Sequence, residues 1–206
     1  MLSIIEAVSP KEGYLLLRWD SVEAMKKKMR YSFKDVSAWP EDERWELIDG
    51  TPYLMAQPSV EHEDISREIF VQLANFLKGR PCKVYDAIGV RLNAEEGDDT
   101  FVIPDISVVC DKSKLADGKS CIGAPDMVVE ILSLSTAGRD RLEKFNMYLE
   151  AGVREYWIVD PETKIVNVNT LENGKYVNSA YGKSGTVQVH VLDGCTISLE
   201  EVFAET

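Results

Sequence analysis

Apolar and polar positions follow three different rhythms along this chain. In the first, apolar residues recur at spacings of three and four. After Ser59, a predicted N-cap, Ile65, Ile69, Leu73 and Phe76 trace one face of a helix from Glu61 to Leu77, which Gly79-Arg80-Pro81 ends. A second helix is predicted over 138–150, with Leu142, Phe145 and Leu149 as its apolar seam and Gly152 as its stop. In the second rhythm, apolar residues run almost without interruption: 82–92 (CKVYDAIGVRL), 100–110 (TFVIPDISVVC), 125–133 (PDMVVEILS) and 155–160 (EYWIVD). Such runs predict strands covered on both faces. In the third, apolar and polar residues alternate through much of KIVNVNTL, KYVNSAY and TVQVHVLD, predicting antiparallel strands with turns at Asn173-Gly174 and Gly182 to Gly185. Asp49-Gly50 joins WELIDG to TPYLMA as a tight hairpin. Earlier in the chain, 14–19 reads as a short strand, 21–30 as a charged helix and 35–39 as a short helical stretch before Pro40. The order helix, three strands, helix, strand implies an α/β fold, a mixed sheet with helices packed against it.

At 206 residues the chain can bury one ample core, and its 45% hydrophobic and 28% charged composition is that of a soluble globular protein. It holds no repeat, low-complexity segment or linker. We therefore expect one domain, with residues 1–34 an N-terminal elaboration and 35–206 carrying the fold. No apolar run approaches the ~20 residues that cross a bilayer. The first residues lack a secretory pattern, so a cytoplasmic location is expected and no membrane partner. Cys82 and Cys110 lie in apolar stretches and read as core residues; with Cys121 and Cys195 they show no C-x-x-C spacing, so neither a disulfide framework nor a zinc site is expected.

The net charge of −12 counts against a general nucleic-acid binder, because lysine and arginine on phosphates supply most non-specific affinity. The densest basic run, Lys26-Lys27-Lys28-Met29-Arg30, reads first as a solvated helix face. The glycine-lysine-serine triplets at 118–120 and 182–184 lack the earlier glycine of a phosphate loop, and two histidines, His62 and His190, leave little for histidine-based sites.

Two acids stand out because of where they sit. Asp105, preceded by Pro104, interrupts one apolar run, and Glu130 interrupts the next. A buried carboxylate must be paired, metal-bound or protonated. Convergence of the two, with a backbone carbonyl such as that of Ile131, would supply hard oxygen ligands for magnesium and leave places for water and a phosphate oxygen. The alternative is that they cap loop amides or pair with Arg91. Lys144 follows Asp140 by one turn on the next helix, about 100° from the apolar seam. It could orient or deprotonate an attacking water; otherwise it forms a surface pair with Asp140.

The segments 45–62, 102–111 and 123–161, taken together and in order, resemble the Uma-two family of bacterial restriction-endonuclease-type proteins, placed in the PD-(D/E)XK nuclease superfamily. The resemblance covers roughly 35–180. It implies a restriction-endonuclease-like mixed β-sheet core flanked by helices, here with additional antiparallel strands at both ends. It also implies that Pro104-Asp105 is the PD, that Glu130 is the second acid, and that both bind Mg²⁺, with Mn²⁺ as the substitute, for hydrolysis of DNA phosphodiesters. The superfamily lysine is expected two residues after the glutamate, where this chain has Leu132; Lys144 is the matching position on the helix. Glu46 is the candidate N-terminal acid, with His62 secondary. Tyr148 and Trp157 read as core residues. A homodimer would suit a duplex substrate. The rival readings are a nuclease-fold binding or assembly module with little activity, favoured by Leu132 and the acidic charge, and a small-nucleotide phosphohydrolase.

Overall fold

In a computed structural model of the chain, residues 30–204 are described, apart from 41, 96 and 134–136 and the side chains of 137–141. The strand expected at 14–19 and nearly all of the helix expected at 21–30 lie outside the described residues.

Asp49 and Gly50 both take positive φ, 48° and 75°. That is the twist a two-residue hairpin requires, and it joins β1 (Trp45–Ile48) to β2 (Thr51–Leu54) at the predicted turn, with Ile48 opposite Thr51. A single-turn helix, α1 (Phe33–Val36), precedes them, begun where the Ser32 N–H donates to Asp35 Oδ2 at 2.8 Å. The first long helix, α2, runs Val60–Leu77, and Ser59 caps it by accepting from the His62 N–H at 3.2 Å.

The two runs expected as single strands, 82–92 and 100–110, each break in the middle, and the two breaks shape the molecule. The first divides into β3 (Lys83–Asp86) and β4 (Gly89–Arg91), the second into β5 (Phe101–Val102) and β6 (Ile106–Val109). Pro104 has no N–H to give a ladder. Ala87 turns the other chain with φ 46°, and its N–H donates to the Asp105 carbonyl at 3.1 Å. The two bends therefore touch, and the outer halves pass into different sheets, the way strands make a corner.

After a short 3₁₀ turn (Lys112–Leu115) come β7 (Ser120–Ile122), β8 (Met127–Ile131), α3 (Ala137–Ala151), β9 (Glu155–Asp160), β10 (Ile165–Glu172), β11 (Lys175–Tyr181), β12 (Thr186–Gln188), β13 (Thr196–Ser198) and the final turn α4 (Leu199–Val202). One sheet has the order β2-β1-β5-β4-β7, the other β11-β10-β9-β8-β6-β3, and β12 pairs with β13. Both larger sheets are mixed: β4 with β7 and β8 with β9 are parallel, the other pairs antiparallel. The alternating stretch TVQVHV ends as a strand at Gln188, and His190 lies in an exposed turn instead.

Ile65, Ile69, Leu73 and Leu77 of α2 bury against Ile106, Val108, Met127, Val129 and Trp157 on one face of the six-stranded sheet, with the C-terminal strands closing that core. Val109, Val128, Leu132 and Tyr156 on its other face pack with Tyr148 of α3 and with Ile48, Val90 and Val102 of the five-stranded sheet. Cys82 and Cys110, expected as free core residues, form a disulfide. Extending the β3–β6 register by one residue sets them directly opposite, a relation that their spacing of 28 in sequence does not announce. Among the described residues no helix is long and apolar enough to cross a membrane.

Candidate active site

The site lies where the two sheets part, at the bend Ile103-Pro104-Asp105. Because Ile106 pairs with Val129, one further step along the ladder sets Asp105 opposite Glu130. Directly opposed residues of an antiparallel pair share a face. The register of two strands thus brings together the two acids singled out from sequence. Asp105 is not within a strand as expected. It stands just before β6, its side chain 19% exposed, and its Oδ2 accepts the Ile131 N–H at 2.7 Å. The carboxylate takes over as acceptor where the backbone ladder stops, so the amide-capping alternative describes Asp105 correctly. Arg91 plays no part, being bound twice to Asp98 at 2.9 and 2.7 Å.

Glu130 is buried at the last position but one of a fully buried strand. Its Oε1 accepts hydrogen bonds from Lys144 Nζ at 2.9 Å and from the Tyr148 hydroxyl at 2.7 Å. Lys144 Nζ also donates to Glu46 Oε1 at 2.9 Å, and that same oxygen accepts the Ile103 N–H at 3.1 Å. Glu46 therefore does at the end of β5 what Asp105 does at the end of β8. The side chains of Glu46, Glu130 and Lys144 are 3–5% exposed. In such a buried setting Coulomb interactions between the two acids and the lysine are far stronger than in water.

The placement of Lys144 corrects the helical seam. Lys144 and Tyr148, one turn apart, form the buried stripe of α3, whereas Leu142 is 67% exposed. Hydrophobic periodicity ranks leucine above lysine, but two buried carboxylates provide what the lysine needs to be buried. Asp140, its expected partner, has no described side chain. Leu132, where the superfamily lysine would stand, is buried in the apolar core instead. Tyr148 is buried as expected, yet sequence gave no sign of its bond to Glu130. Burial pushes its hydroxyl well above the ordinary tyrosine range, with the Glu130 charge adding to this, so it stays a donor.

His62 arrives from the first turn of α2. Its Nε2 lies 3.2 Å from Asp105 Oδ2, while Nδ1 is buried with no hydrogen-bond partner among the described residues. Burial pushes the imidazole down; the Asp105 hydrogen bond and charge outweigh this, and it titrates above the usual histidine range.

Among the described residues no three His, Cys, Asp or Glu side chains converge as a ready metal cage. The donor set nevertheless fits a hard divalent cation. Such ions are commonly held by one or two carboxylates with water and phosphate completing the shell. Asp105 Oδ1 accepts nothing among the described residues and belongs to a partly exposed side chain.

Beside the centre, a cleft of about 960 Å³ runs between α3 and the five-stranded sheet. Ile48 and Met147 line it with Asp49, Glu95, Glu143 and Glu150, and among the described residues no lysine or arginine does. The Tyr53 hydroxyl reaches Glu143 across it at 3.3 Å.

Known proteins bear on this arrangement at three levels. A crystal structure from Anabaena variabilis, titled a "putative nuclease belonging to DUF820", matches with a TM-score of 0.69 at 20% identity, over 84% of this chain and 97% of that one, a likeness of fold. An uncharacterized protein of Synechocystis sp. is 30% identical over 126 residues, 60% of this chain and 63% of that protein. The chain thus matches somewhat less than two thirds of that relative's length. The family model described as "Putative restriction endonuclease", Uma2, matches residues 33–200, most of the sequence and every residue of the site described above. The fold is the mixed α/β nuclease-like one, and the chain belongs to the Uma2 family.

Proposed function

We propose that this nuclease-family chain is a Mg²⁺-dependent DNA endonuclease, with Mn²⁺ able to substitute. The observation that carries the reading is the buried Lys144 bound to both Glu46 and Glu130, one strand position from the Asp105–Ile131 contact. Asp105 and Glu130, with the Ile131 carbonyl, would hold the cation. When bound, it would polarise the scissile phosphate, lower the pKa of a water and offset developing negative charge. The chain's own part is then clear. Lys144, already donating to two carboxylates, would orient the attacking water and pass its proton toward Glu46 or Glu130. Glu46 would hold the ammonium in place. His62, at the same Asp105 Oδ2 that accepts the Ile131 N–H, would help fix the carboxylate, as the outer partner of a ligand does. DNA as substrate rests on the family description, and two copies related by a two-fold axis would cut both strands of a duplex. The expected setting is the cytoplasm.

Incubation of supercoiled plasmid with Mg²⁺ or Mn²⁺ tests this. Wild-type protein should nick it, and Asp105→Ala, Glu130→Gln and Lys144→Met should each lower the rate at least ~100-fold, the scale on which metal-site and proton-transfer groups act. Nicking that persists in the first two variants would overturn the assignment.

The acidic cleft favours one second reading, a nuclease-fold module of little activity that binds a partner other than DNA. A wild-type protein that takes up metal but neither nicks nor retains DNA would favour it.

A further inference from the structure

The proposed reading leaves unexplained why a tyrosine hydroxyl is buried against the second acid. Tyr148 sits in the apolar layer between the sheets, its ring 4.9 Å from Tyr156, with no exposed surface. Packing alone would be met by phenylalanine. The hydroxyl is instead directed at Glu130 Oε1, and at 2.7 Å it is closer to that oxygen than Lys144 Nζ is, at 2.9 Å. Lys144, four residues earlier on the same helix face, reaches the same oxygen.

We infer that Tyr148 is a positioning residue: with Lys144 it occupies Glu130 Oε1, so that Glu130 meets a divalent cation through Oε2 alone and in one fixed orientation. An ionised carboxylate oxygen offers about two acceptor sites, and both are taken by groups on one rigid helix. Chelation through both oxygens is thereby excluded. Such one-oxygen binding suits the near-octahedral demand of Mg²⁺ and disfavours the larger, two-oxygen coordination that Ca²⁺ accepts. Lys144 alone could not enforce this, because its ammonium is shared with Glu46 and sits on a flexible stem. The phenol has one rotatable donor on a ring that the core holds still.

This inference rests on Asp105 and Glu130 being the metal ligands, and the test separates the two. Mn²⁺, Mg²⁺ and Ca²⁺ affinities are measured by calorimetry on the full chain, with thermal unfolding recorded in EDTA, for wild type, Tyr148→Phe, Asp105→Ala and Tyr176→Phe. The last is a matched control. It removes a hydroxyl that donates to the Val153 carbonyl at 2.9 Å in the same core and touches no site residue. Tyr148→Phe should weaken Mn²⁺ and Mg²⁺ about 10-fold, the lower end of what loss of an outer partner costs a metal site, and should weaken Ca²⁺ less. Tyr176→Phe should lower the melting temperature comparably and leave all three affinities unchanged. If Tyr148→Phe alters affinity no more than Tyr176→Phe while Asp105→Ala abolishes binding, the hydroxyl is merely structural and this assignment falls alone. If Asp105→Ala leaves binding intact, or the wild type binds no cation, the metal reading falls and takes this inference with it.

Discussion

Removing the Lys144 ammonium takes one donor from each of the buried carboxylates Glu46 and Glu130 and deletes the cation they share. Breaking a buried ion pair from one side costs about 3–5 kcal/mol, because the partner's desolvation is no longer offset. Lys144→Ala should therefore lower the urea-unfolding free energy in EDTA by about that amount, whereas Lys144→Met with Glu46→Gln and Glu130→Gln, which removes all three charges, should recover most of the loss. If Lys144→Ala costs less than 1 kcal/mol, the triad is open to water rather than buried. The same chemistry decides what could be read from sequence. Asp105 and Glu130 were legible because an acid inside an apolar run demands an explanation. Lys144 was legible as a candidate but not as a core residue, since its partner Glu46 lies 98 residues away. Tyr148 gave no signal, because a tyrosine on a helix seam is fully accounted for by packing.

At the scale of elements, helices and hairpins followed from local rules: Ser59 as cap, Asp49-Gly50 and Asn173-Gly174 as turns. The corner did not. Apolar runs of eleven residues look like long strands, and periodicity does not record that Ala87 and Pro104 bend adjacent chains at the same level. Yet that corner is what frees Asp105 from the ladder and opens the site between two sheets. The Cys82–Cys110 disulfide fastens the far end of this pair, joining the edge strand β3 to β6. Closing a loop of 28 residues limits the unfolded chain by about 3–4 kcal/mol on the chain-entropy account. Cys82→Ser with Cys110→Ser should destabilise the protein by that order in urea titrations without reductant. In the presence of reductant the wild type should fall to the same midpoint as the double variant. A wild-type midpoint indifferent to reductant would mean that the bond does not form in solution.

The whole molecule sets electrostatics against its proposed substrate. A net charge of −12 and a cleft bearing Asp49, Glu95, Glu143 and Glu150 repel a polyanion over distances up to the Debye length, about 8 Å at physiological salt. Attraction must then come from few groups: the bound cation and whatever lysines and arginines stand near the partly exposed Asp105 side of the site. This makes DNA affinity conditional on the metal and gives it a weak salt dependence, since each neutralised phosphate contributes roughly one counterion to the slope of log affinity against log salt. In EDTA at about 150 mM salt, DNA binding should be undetectable at micromolar protein. With Ca²⁺ at concentrations that fill the site but do not support cleavage, binding should appear with a slope shallower than about −3, against the −6 to −10 of proteins that clasp the backbone. Anisotropy of a labelled duplex measures both quantities. A steep slope in EDTA would mean that a basic face outweighs the acidic average and that DNA is recruited independently of the centre. The predicted outcome would mean that the centre itself is the recruiting device. In that case an acidic protein of nuclease fold selects its substrate by whether a phosphate can complete the shell of a cation held by Asp105 and Glu130.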